Sequence, residues 1–120
     1  MDQRVPLVWS VRLNAAEAPA VHKLLMMDER PLDLAALRRD PAAREERLPL
    51  LPLLLVRDDQ DHEMPGDETS LQPGDHLLFA GTRTAKAAQN LTLDHRTVLD
   101  YVRSGRDTPG WLWGLLTRGR

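Results

Sequence analysis

An α+β fold, built as a small mixed β-sheet with an antiparallel hairpin and packed by helices, is what this sequence predicts. Two short apolar runs with strand character, Val5–Leu13 and His76–Ala80, are separated by segments whose apolar residues recur at helical spacing. The strands and helices do not alternate regularly, as a parallel βαβ fold would require. A length of 120 residues falls in the range of one compact domain. With aromatics at only 4%, Leu, Val and Ala must fill the core.

The first strand alternates, with Val5, Leu7, Trp9, Val11 and Leu13 on one face and Val8 on the other. Pro19 suits the first turn of a helix, where its missing N–H costs nothing, and Val21, Leu24 and Leu25 carry that helix to about Met27. Asp33 precedes a short helix holding Leu34 and Leu37, which Asp40-Pro41 ends because the residue before a proline disfavours helical backbone. Pro41 opens a further helical turn through Arg47, giving a helical insertion at about 32–48. Leu53–Val56, after Pro52 and closed by Arg57, is a continuous apolar run expected to be buried on both faces at the centre of the sheet. An acidic loop follows from Asp58, and Gln72-Pro73-Gly74-Asp75 is a turn whose flanking strands are close enough to pair as a hairpin. His76–Ala80 is a strand ending at Gly81. Thr84–Leu91 favours helix, and Thr92 or Asp94 caps another helix carrying Val98, Leu99 and Val102, stopped by Gly105. The division is a domain over 1–91 and a C-terminal helix with a Trp-containing tail over 92–120.

The formal charge of −2 gives no basic field of the kind that dominates nucleic-acid affinity, so no nucleic-acid partner is expected. The longest apolar run, Leu48–Val56, holds two prolines and is far short of the roughly 18 residues a spanning helix needs. Without cysteine there is no disulfide framework and no thiolate nucleophile, which suits a reducing cytosol. The N-terminus has no signal-peptide pattern.

Pro65, Thr69, Leu71, Gly74, Asp75, Leu77 and Gly81 fill every position of a P-x-x-x-T-x-L-x-x-G-D-x-L-x-x-x-G run that follows a strand ending in a basic residue, here Arg57. In this the chain resembles the TrkA C-terminal (RCK_C) domain family, the regulatory domain of bacterial potassium channels and transporters. The resemblance is strong over 53–81 and extends to the strand and helix of 5–27. It implies a cytoplasmic regulatory, ligand-sensing and dimerisation domain, part of an inner-membrane-associated transport protein. Its implied partners are a second copy of itself, a membrane-embedded potassium pore and a Rossmann-type TrkA-N domain. A nucleotide, a cyclic dinucleotide or an ion is the implied effector. No G-x-G-x-x-G fingerprint occurs here, so the sequence reads as a fragment excised from a longer protein. A ligand-independent dimerisation or docking module of another transporter or regulator is the alternative.

Gly74 and Asp75 read as turn-forming residues first, with the Asp75 carboxylate accepting backbone N–H groups. For a ligand cleft the candidates are Arg57, whose guanidinium can fork onto a phosphate or carboxylate, together with His62 and Asp67. An ion pair of Arg57 with Asp58 or Asp67 is the simpler use of that charge. Asp59, Asp61 and Glu63 begin a calcium-loop pattern, which fails at Met64, where glycine is required, and at Ser70, where a bidentate Glu belongs. No metal site is expected: His62 stands among the loop acids, but one imidazole with flexible carboxylates defines no geometry, and His22, His76 and His95 lack partners at ligand spacing. Ser10, Ser70 and Ser104 have no nucleophile context and no phosphate loop is present, so catalysis is not expected. A weaker third reading is a small enzyme using the acidic loop with a divalent metal. Asn90-Leu91-Thr92 matches a glycosylation sequon by chance. Trp111, Leu112, Trp113, Leu115 and Leu116 can pack on the domain or dip into a membrane interface.

Overall fold

The computed structural model describes residues 6–104. Val5, the Gly105 stop and the tryptophan tail lie outside the described residues. In chain order the elements are β1 (Leu7–Arg12), α1 (Pro19–His22), a π-helical turn (Lys23–Met27), α2 (Ala35–Arg38), β2 (Arg39–Asp40), β3 (Ala43–Arg47), β4 (Leu50–Arg57), β5 (Gln60–Glu63), β6 (His76–Gly81), α3 (Arg83–Asp94) and α4 (Arg96–Ser104). Four strands form one sheet in the order β1-β6-β4-β5, and β2 with β3 forms a separate two-stranded ribbon. Every pair is antiparallel, so the α+β class holds while the expected mixed sheet is antiparallel throughout.

The helices cover one side of the four-stranded sheet. Trp9, Val11, Leu50, Leu55, Leu77 and Phe79 from the sheet join Val21, Leu24, Leu37, Ala85, Leu93, Leu99 and Val102 from the helices in one buried cluster. Trp9 and Phe79 are cross-strand partners whose rings stack at 5.9 Å. Gln89 of α3 lies in the same interior, where burying an unpaired amide would be costly. It accepts a hydrogen bond from Trp9 Nε1 at 2.9 Å and donates one from Nε2 to the Leu37 carbonyl at 3.2 Å, tying α3 to β1 and α2. The chain continues through 91–92 without a break inside α3, and α4 contributes Leu99 and Val102 to the same core.

Several expectations are corrected. The segment through Arg47 is strand and not helix. The Asp40 side chain accepts from the Ala42 N–H at 2.9 Å and so closes a turn at Pro41, while Arg44 reaches the Tyr101 and Val102 carbonyls near the end of α4. These contacts override the helix propensity of Ala-Arg-Glu-Glu-Arg. Asp33 makes no cap; it bridges Ser70, and Leu34 occupies the N-cap of α2. The strands expected on either side of Pro73-Gly74, β4 and β6, do pair antiparallel, with Leu54 opposite Leu78 and Leu55 opposite Leu77, but β5 lies between them in the chain, so they do not form a tight hairpin across that turn. The hairpin is instead β4–β5, turning on Asp58 and Asp59, both at positive φ (+52° and +61°) as a type I′ turn requires. The start of the expected acidic loop is therefore this turn and β5. β4 also begins earlier than expected, at Leu50, and carries Pro52 at a register irregularity, one of the few places a strand accepts a residue without an N–H. Neither Thr92 nor Asp94 caps α4, since both lie inside α3, and the His95 carbonyl accepts the first α4 bond from Leu99 at 3.0 Å.

Candidate functional site

The run from Pro65 to Gly81 is braced as one unit. Gly74 has φ +87° and sits at the third position of the turn, which the Asp75 N–H closes onto the Gln72 carbonyl at 3.1 Å. The turn is tied to the end of β1 by bonds from the Gly74 N–H to the Leu13 carbonyl and from the Leu13 N–H to the Asp75 carbonyl, each 2.9 Å. Thr69 and Leu71 bond through their backbones to Leu34 and Leu32. Leu71, Leu77 and Phe79 are buried. At Gly81 the chain approaches β4 so closely that a Cβ would lie 2.6 Å from the Pro49 carbonyl oxygen, backbone that cannot easily yield.

Asp75, only 1% exposed, is the anchor of this unit. It forms a two-pronged pair with Arg57, whose Nε donates to Oδ1 at 2.8 Å and whose Nη2 donates to Oδ2 at 2.7 Å. Arg57 Nη2 also donates to the Ser70 carbonyl at 2.8 Å, and Asp75 Oδ2 accepts the Gln72 N–H at 2.8 Å. Donating hydrogen bonds to Asp75 holds the Arg57 guanidinium above its ordinary pKa, against the opposing effect of burial. Arg57 thus pairs with Asp75, rather than with Asp58 or Asp67, because β4 and β6 are neighbours and bring the two together.

Asp67 is used elsewhere, bridging Arg38 of α2 at 2.6 Å and Arg47 of β3. His62 is exposed on β5. The three proposed cleft residues are therefore not gathered around one open site; Arg57 and Asp67 already hold internal partners. Among the described residues no group of three or more His, Asp or Glu side chains is placed to hold a metal ion, and Asp59, Asp61 and Glu63 are spread along the turn and β5. No helix of the described residues is long and apolar enough to cross a membrane.

Sequence reasoning missed two features. The first is a cleft of about 470 Å³ lined by Asp28, Arg30, Arg96, Asp100, Arg103 and Ser104. Arg96 bridges Asp28 at 2.6 Å and Asp100 at 3.0 Å, while Arg103 donates to Asp100 at 3.3 Å, so much of its charge is internally compensated. Burial lowers the Arg96 pKa, but its bonds to Asp28 and Asp100 outweigh it and the net shift is upward.

The second feature is the outer face of the sheet, opposite the helices. Cross-strand register arranges it in rows: Arg12, His76, Val56, Asp61, then Ser10, Leu78, Leu54, Glu63, then Val8, Ala80, Leu51. Val8 is 61% exposed and Leu51 52%, and Leu54, Val56, Leu78 and Ala80 are half-buried without joining the core cluster. Apolar side chains run across β6 and β4 and include Val8 on β1, while the charged ones, Arg12 on β1 and Asp61 and Glu63 on β5, stand on the two edge strands. The lone outward Val8 in an alternating strand was the available signal.

No known protein-family model matches this chain, and no curated protein or solved structure matches it.

Proposed function

We propose that this chain is a regulatory, ligand-sensing and dimerisation domain of a bacterial potassium channel or potassium uptake protein, of the TrkA C-terminal type, acting by association and not by covalent chemistry. The observation that carries the reading is the braced unit from Arg57 to Gly81. Gly74 and Gly81 occupy positions where a side chain is strained or excluded, Asp75 closes the turn and anchors Arg57, and Leu71 and Leu77 fill the core. Positions under such constraint are those a family motif retains for mechanical reasons. The domain works in the cytoplasm beside its pore, and a nucleotide or cyclic dinucleotide bound between two copies favours one arrangement of the pair. Differential affinity for the two arrangements sets how far gating can move.

A thermal-shift screen of the chain against cyclic dinucleotides, adenine nucleotides, nicotinamide cofactors, Ca²⁺ and K⁺ tests the sensor. A ligand that binds only the folded state stabilises it by about 2.7 kcal/mol at a hundredfold excess over its Kd, and a saturable shift of this kind is expected. That Arg57 is already paired with Asp75, and Asp67 with Arg38, favours a second reading, a docking module with no ligand. A chain that associates but responds to no compound in the screen decides for that reading.

A further inference from the structure

The outer face of the sheet is largely apolar over β6, β4 and Val8 of β1, with charges of opposite sign on its two edge strands. Arg12 stands on β1, and Asp61 and Glu63 stand on β5 at the far edge. We infer that this face docks on the same face of a second copy, sheet against sheet, about a two-fold axis running parallel to the strands between β4 and β6. This rests on the dimerisation half of the reading above and is independent of whether a ligand is sensed.

Register decides the axis. A two-fold parallel to the strands reverses each row onto itself, so β1 of one protomer lies over β5 of its partner. Arg12 then faces the partner's Asp61, Ser10 faces the partner's Glu63, Leu78 meets the partner's Leu54, and Ala80 meets the partner's Leu51. A two-fold perpendicular to the strands would instead stack β1 on β1 and β5 on β5, setting the acidic edges against each other. Aligned sheets cross at about −30°, which offsets the edge strands by a distance an arginine side chain spans. A face four strands wide is small beside that of a permanent dimer, so the association is concentration-dependent.

Sedimentation equilibrium of the full 120-residue chain across a concentration series tests the arrangement. Wild type is expected to dimerise, and Leu51→Asp to remain folded, because the side chain is half in solvent, yet become monomeric. Arg12→Asp and Asp61→Arg, which each set like charges across both symmetric contacts, are expected to weaken the dimer by about tenfold. Combining the two substitutions restores opposite charges and is expected to recover most of the loss. A dimer indifferent to all of these variants overturns the surface while leaving dimerisation intact. A wild-type chain monomeric at every concentration overturns the inference, whatever the ligand screen returns. Dimerisation gained only on removing residues 105–120 assigns the face to the chain's own C-terminal segment and overturns it equally.

Discussion

At the scale of single residues, two ion pairs of similar length differ in what they contribute. Asp75 is buried, accepts three hydrogen bonds from Arg57 and Gln72, and has no access to water as a substitute partner. Its removal leaves Arg57, 24% exposed on the side chain, without its carboxylate and opens the turn that positions β6. Removing one partner of a buried pair is costly, and with some relief by solvent at Arg57 we expect Asp75→Ala to lose about 2–3 kcal/mol. Arg47 is 63% exposed, and without it Asp67 keeps its bond to Arg38, so Arg47→Ala should cost less than about 1 kcal/mol. Urea unfolding of both variants gives the comparison, through midpoints shifted at constant slope. Equal losses would mean that the Arg57–Asp75 pair is not the anchor.

At the scale of elements, the β4–β5 hairpin carries a local cost. Asp58 and Asp59 both hold positive φ, where a side chain is disfavoured, and Asn-Gly is the pair that suits such a turn. Asp58→Asn combined with Asp59→Gly is expected to raise stability by about 0.5–1 kcal/mol in the same unfolding assay; a fall would contradict the turn type. β1, α1 and β6 were legible because their apolar residues keep a strand or helix period and most are bounded by Pro or Gly. β2 and β3 were not, since Ala-Arg-Glu-Glu-Arg is a good helix former and only contacts to Asp40 and α4 make it a strand. The partner of Arg57 was equally hidden, because it depends on which strands are neighbours. The apolar run Leu53–Val56 suggests a strand buried on both sides, yet of these four residues only Leu55 is buried in the core. A continuous apolar run has the same appearance whether its second face is covered by its own chain or by another.

At the scale of the whole molecule, the described residues form two layers, with helices on one side of the sheet and, among those residues, no element over the apolar face on the other. In the proposed dimer a second copy covers that face, in the orientation set by the charges on the edge strands. The absence of cysteine makes a single labelling site straightforward, and Ser10 is exposed on β1. In the proposed dimer the two β1 strands are displaced by three strand spacings, about 14 Å, across two sheets about 10 Å apart. The Cα atoms of the two labelled positions should then be about 17 Å apart. Dipolar coupling between spin labels on Ser10→Cys measures this directly: a distance near 17 Å is the predicted result. A separation near 10 Å, with β1 over β1, or no coupling at concentrations where the chain is dimeric, would contradict this arrangement.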